Sequence, residues 1–297
     1  MDTSSSMATR PFSGGNGEAV ATVAVQPVGD VLDPVQARSL AVRAAVVSAR
    51  RQLLEAVESI RIDAGQTVGY HMAEDLDAAE NVRMLLQNSR LSLPLANPED
   101  KPDMMGSVTA SISLYGQLAE HMLPSTIQFL SGIPPKLAGA SQPVEEEQDP
   151  MALGMTPGAG YSGVVIDARG LDIEPALCPV VFDAGGVGVY GPFMVSRTLA
   201  VSQGVAAYSR TDEWVVVRSR VGESPLVVKA VSKARPTDPV ISANDARLAR
   251  AVLSRPGIGD KGRVVIVLDD AGTTEADSES AAVTAEAEPF VSTDLEE

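Results

Sequence analysis

The stretch Tyr161–Gly191, YSGVVIDARGLDIEPALCPVVFDAGGVGVYG, decides how this chain is read. Gly163–Asp167 (GVVID) is short, continuously apolar and closed by a carboxylate, the pattern of a strand with both faces covered. Pro179–Asp183 (PVVFD) repeats that pattern. Asp183-Ala184-Gly185-Gly186 then supplies turn residues and Val187–Tyr190 returns, so a β-hairpin is the economical reading. Between the first two strands lies a loop that contains Arg169, Gly170 and Pro175.

Downstream, Thr211 to about Ser219 is a candidate helix after a short one within residues 193–203, and Pro225–Val231 (PLVVKAV) reads as a strand. Ser242 caps a helix that runs to Ser254, with Ala246, Leu248, Ala249, Val252 and Leu253 on its buried side. Gly262–Leu268 (GRVVIVL) is the strongest strand pattern in the chain. Upstream, Ala19–Val28 suits a first strand, and Asp33-Pro34 offers an N-cap and a first-turn proline for a helix reaching about Ile60. Leu40, Ala44, Val47, Leu54 and Val57 are its expected buried face, with Arg43, Arg50, Arg51 and Glu55 outside. A short strand and turn after Ile60, a helix over residues 76–87, a loop over 95–105, a half-buried strand Ser107–Tyr115 and a short helix Gly116–Leu123 complete that unit.

The fold class expected is α+β: two small mixed helix and sheet domains joined by a Pro, Gly and Glu rich linker. The boundaries are a disordered N-terminus over residues 1–18, a domain with one long helix over 19–130, a linker over 131–160, a second domain over 161–270, and an acidic disordered tail over 271–297. From Ala271 to Glu297 there is no Lys or Arg, so much of the net charge of −16 sits outside the folded body. That charge argues against nonspecific nucleic-acid binding, and no apolar run is long enough to span a bilayer. With 44% hydrophobic but only 4% aromatic residues, the cores are expected to be built from Val, Ala, Leu and Ile.

Catalytic signatures are sparse. Gly186-Val-Gly188-Val-Tyr-Gly191 matches G-x-G-x-x-G with Asp212 downstream, but the glycines fall in the hairpin rather than at a helix start, so turn chemistry is the better reading. His71 and His121 lack zinc spacing, and the single Cys178 is expected to be a small buried hydrophobe. No cofactor, metal or catalytic group is assigned. Asp167, Arg169 and Asp183, at the ends of two strands, form the one candidate cluster: an ion pair that fixes the loop, with a small-anion site as the alternative.

The run Y-S-G-V-V-I-D-A-R-G-L-x-x-x-P-A-L-x-P, the following F-D-x-x-G-x-x-V-Y-G, and the later V-G-E-S-P-L-V-V-K-A, T-D-P-V-I-S-A-N-D-A and R-V-V-I-V-L-D resemble the FlgT-like group of bacterial cell-envelope lipoproteins. ARSLAVRAAVVSARRQLLEAVESIRIDAGQTV is similar to the N-terminal module of that group. The resemblance implies a non-enzymatic, periplasmic or envelope protein that acts through protein–protein contacts, on flagellar basal structures in the best-understood members. Its partners would be envelope or flagellar proteins, or a second copy. The start of the chain, MDTSSSMATRPFSGGNGEAVA, shows no export signal or lipobox cysteine, which leaves a cytoplasmic location open. A small-molecule or anion-binding module is the second functional expectation, and an enzyme of unknown class the third.

Overall fold

A computed structural model describes residues 7–9, 17–26, 33–93, 106–125, 127–139, 160–210 and 214–269. The loop expected over 95–105 and the tail over 271–297 lie outside the described residues. The chain is α+β and contains two sheets.

The first sheet is antiparallel, with strands β1 (Met7–Thr9), β2 (Glu18–Ala24), β3 (Arg90–Ser92) and β4 (Ser107–Ser113) in the order β1-β2-β4-β3. β1 corrects the expectation of disorder throughout residues 1–18. Its residues pair with β2 from Met7 opposite Thr22 to Thr9 opposite Val20, a long-range partner that local composition does not reveal. The long helix α1 spans Pro34–Glu58, and the Asp33 side chain caps it by accepting from the Val35 N–H. Its orientation differs from the expected one. Ala41, Ala45, Ala49, Leu53 and Val57 are buried, whereas Leu40 and Val47 are 47% and 70% exposed. The buried stripe is made of small residues because α1 lies on a sheet whose facing residues, Ala19, Ala21 and Ala110, are also small. After α1, Arg61 forms only isolated bridges instead of a strand. Helices α2 (Val68–Glu74), α3 (Leu76–Gln87) and α4 (Gln117–Met122) follow, α3 over the residues expected.

The second sheet has seven strands in the order β7-β6-β10-β9-β5-β11-β8. They are β5 (Val164–Asp167), β6 (Val181–Asp183), β7 (Gly188–Tyr190), β8 (Ala207–Ser209), β9 (Leu226–Arg235), β10 (Asp238–Ile241) and β11 (Val264–Val267). β9, β5, β11 and β8 run parallel to one another, while β10 is antiparallel to β9. Helix α5 (Arg197–Gln203) precedes β8, α6 (Trp214–Val221) follows it, and α7 (Ala243–Leu253) lies between β10 and β11 with Ser242 as its cap. The continuous VVI and VVIV runs of β5 and β11 have the expected cause. Val164, Ile166, Val264 and Ile266 join the main core on the α7 side, and Val165, Val265 and Val267 pack with Val217 and Val221 of α6 on the other.

β6 and β7 form the expected hairpin, closed by Gly186 N–H to Asp183 carbonyl at 2.9 Å. Gly186 occupies the left-handed region at φ 79°, so the glycine-rich run is turn chemistry. Residues 131–139, the start of the expected linker, lie along this hairpin. Gly188 N–H donates to Pro135 carbonyl at 2.8 Å and Leu137 N–H to Gly186 carbonyl at 2.9 Å.

The two sheets share one continuous core. Leu177 and Cys178 N–H groups donate to the carbonyls of Arg61 and Ile62, Arg61 Nε meets Glu174 Oε2 at 2.6 Å, and Arg197 binds both the carboxylate and the carbonyl of Glu120. The Tyr115 ring is clamped between Gly17 and Gly204.

Candidate functional site

β5 ends the apolar run with Asp167 at the C-terminal edge of the parallel strands, the edge where open sheets of this kind carry their ligands. The Arg169 guanidinium grips Asp167 as a fork, Nε to Oδ1 at 2.7 Å and Nη2 to Oδ2 at 2.6 Å, and the Arg169 N–H adds a bond to Oδ1. Alongside, Gly170 N–H donates to the Asp269 carboxylate at 2.8 Å, and Arg210 donates to the Asp269 carbonyl. These contacts tie the loop after β5 to the ends of β11 and β8. The Asp167 side chain is 20% exposed. The Arg169 fork holds its carboxyl below the usual range, against an opposing push from partial burial, and the Lys229 charge helps.

The sequence-predicted cluster is therefore brought together in part. Asp167 pairs with Arg169 as expected. Asp183 does not join them: it is buried on β6, where Oδ1 accepts from Val187 N–H at 2.8 Å and Oδ2 meets Arg250 Nη2 of α7 at 2.7 Å. Strand order explains the separation, since β10 and β9 lie between β6 and β5. Arg250 was not singled out from the sequence. A basic residue in the last turn of an amphipathic helix carries no local signal of a remote partner, and only the crossing of α7 over β6 makes it one. Among the described residues, no group of three or more His, Cys, Asp or Glu side chains could hold a metal ion, and no helix is long and apolar enough to cross a membrane.

The fork borders a second feature that sequence reading missed. β9 stands at the middle of the seven strands, and in register Val227 lies opposite Val165 and Lys229 opposite Asp167. Val165 is buried beneath α6. One strand over, Val227 and Val231 are 58% and 57% exposed with Lys229 open between them. α6 contacts β8, β11 and β5, and its own Val215 is also exposed. Val227 lies where β9 pairs parallel to β5 and Val231 where it pairs antiparallel to β10. An exposed valine beside a parallel strand is unusual, because parallel strands are ordinarily covered on both sides. The alternation Val227-Lys229-Val231 was visible in PLVVKAV, but which strand α6 would leave open depends on the topology.

The acid response of the fork has a definite sign. A carboxylate with a lowered folded-state pKa contributes stability that is present above its unfolded value, about 4, and is lost as the pH falls through the lower folded value. Asp167→Asn should therefore destabilise the chain at pH 7 and leave it with a shallower loss of stability below about pH 4. Urea unfolding at a series of pH values checks this, and parallel curves for the two proteins would contradict it.

Residues 163–270 match the family model described as Treponema pallidum Tp0624, second domain, a bacterial protein family. The match takes in β5 to β11 with α5, α6 and α7, and therefore the fork, the Asp183–Arg250 pair and the bare face of β9. No curated protein matches the chain. Over its second sheet, the chain is similar to the second domain of that Treponema pallidum protein.

Proposed function

We propose that this protein is a non-enzymatic assembly protein of the bacterial cell envelope that works through protein–protein contacts, in the manner of FlgT-like proteins. Flagellar basal structures are the first setting in which to look. The observation that carries this reading is the open face of β9, with Val227, beside β5, and Val231, in the segment paired with β10, exposed on either side of Lys229. Covering two valines and the methylene stem of Lys229 is favourable at about 25 cal/mol per Å² of apolar surface removed from water. The Asp167–Arg169 fork supports the same reading, because it anchors the rim of this face and leaves Lys229 as the charge a partner would answer. The partner surface that fits is apolar, with a carboxylate placed against Lys229.

A photo-crosslinking residue in place of Val231, introduced in the cells that make the protein, tests this reading. The expected result is a covalent adduct with another envelope protein, weakened strongly when Val227→Asp is added. Both positions are exposed, so neither change should disturb the fold. No adduct beyond that from a crosslinker at an unrelated exposed site, such as Met84, would remove the basis for the proposal.

A further inference from the structure

The second unexplained surface is the outer side of α1. Leu40, Arg43, Ala44, Val47 and Arg51 are all exposed and recur at the three- and four-residue spacing of one helix face. From Val35 to Leu54 the chain carries Arg38, Arg43, Arg50 and Arg51 and no acidic residue. The only ion pair found for these four arginines among the described residues is the open Arg51–Glu55 contact at 3.6 Å. A face both apolar and cationic is exceptional in a chain of net charge −16.

The same chain holds the complement. Asp270–Glu297 has nine carboxylate side chains, no Lys or Arg, and the apolar residues Val283, Phe290, Val291 and Leu295. Its starting point is close to the helix. Asp269 is bonded to Gly170, and four residues further on Glu174 is paired with Arg61, three residues beyond the end of α1. Four residues span at most about 14 Å, while 28 extended residues reach about 95 Å, against about 37 Å for the length of α1. The tether makes the encounter intramolecular, at an effective concentration that can reach the millimolar range.

We propose that residues 270–297 dock along the outer face of α1 of the same chain, their carboxylates against Arg43, Arg50 and Arg51 and their apolar residues against Leu40 and Val47. A second copy is disfavoured as the occupant, because α1 against α1 would set arginines against arginines. The bare β9 face plays no part in this contact, so the docking stands or falls independently of the assembly reading.

The test uses the full chain, isotope-labelled, with a nitroxide on Ser292→Cys. Cys178 is 2% exposed and stays unlabelled. The amide signals of Leu40, Arg43, Val47 and Arg51 should lose about half or more of their intensity at low salt. They should recover at ~0.5 M salt, where the screening length falls to about 4 Å. The exposed double variant Arg43→Glu/Arg51→Glu should abolish the loss. A mixture of nitroxide-bearing unlabelled chain with nitroxide-free isotope-labelled chain should show none. Unbroadened α1 signals, broadening centred on other basic residues, or equal broadening in the mixture (which would assign the contact to a second copy) would each overturn the proposal.

Discussion

Gly204→Ala should lower the stability of this protein by about 3 kcal/mol, from a backbone penalty of about 1–3 kcal/mol at a conformation essentially reserved for glycine plus about 1–3 kcal/mol of overpacking. Gly204 ends α5 at φ 78°, a conformation that L side chains rarely adopt. A Cβ there would stand 2.6 Å from Cε1 of Tyr115. The ring cannot retreat, because a Cβ at Gly17, on its other side, would already be 2.3 Å from Cε2. Tyr115 thus fills a slot that two glycines leave open between the first sheet and α5, and burial pushes its phenol pKa up. Adding Tyr115→Leu to Gly204→Ala should relieve the steric share and leave the backbone share. A double-mutant cycle by urea unfolding reads both, and a single-variant loss below about 1 kcal/mol would mean the two units are not seated as described.

Arg250→Ala should cost about 2 kcal/mol, below the scale for a fully buried ion pair, because Asp183 is buried but the Arg250 side chain is 37% exposed and water can partly take its place. Asp183 is 4% exposed, and Arg250 Nη2 is its cationic partner at 2.7 Å. The Val187 N–H bond would remain, but it does not neutralise a carboxylate in the hairpin that holds residues 131–139. Asp183→Asn in the Arg250→Ala background should recover much of the loss, because an amide needs no counter-charge. Thermal unfolding of the two single variants and the double variant checks this, and additive losses would show that the pair is not coupled.

Much of the architecture was legible because it rests on local patterns. The capped helices α1, α3 and α7, the β6–β7 hairpin and the VVI and VVIV runs each carry their own start, stop and periodicity. What escaped depends on partners remote in sequence. β8 is three residues long and is a strand only because it pairs with β11, while the Tyr208 hydroxyl is held by the Ala176 backbone. β10 contains Pro239, which speaks against a strand until it is seen beside a shift in register. The buried face of α1 was misjudged because the helix is apolar on two sides. Size favoured Leu40 and Val47, whereas close approach to an alanine-lined sheet selected the alanines. At the site, Asp167 and Arg169 were readable two residues apart, but the partner of Asp183 and the bare face of β9 follow from strand order alone.

On the proposed function, the β9 face is open in the isolated protein and covered where the protein works. Reactivity of a cysteine at Val231→Cys toward a membrane-permeant maleimide measures this directly, since Cys178 is buried and its thiol pKa is pushed up. Rapid labelling of the purified chain and strong protection in intact cells are expected, with a cysteine at exposed Met84 labelled equally in both. Equal labelling of Val231→Cys in both settings would contradict it.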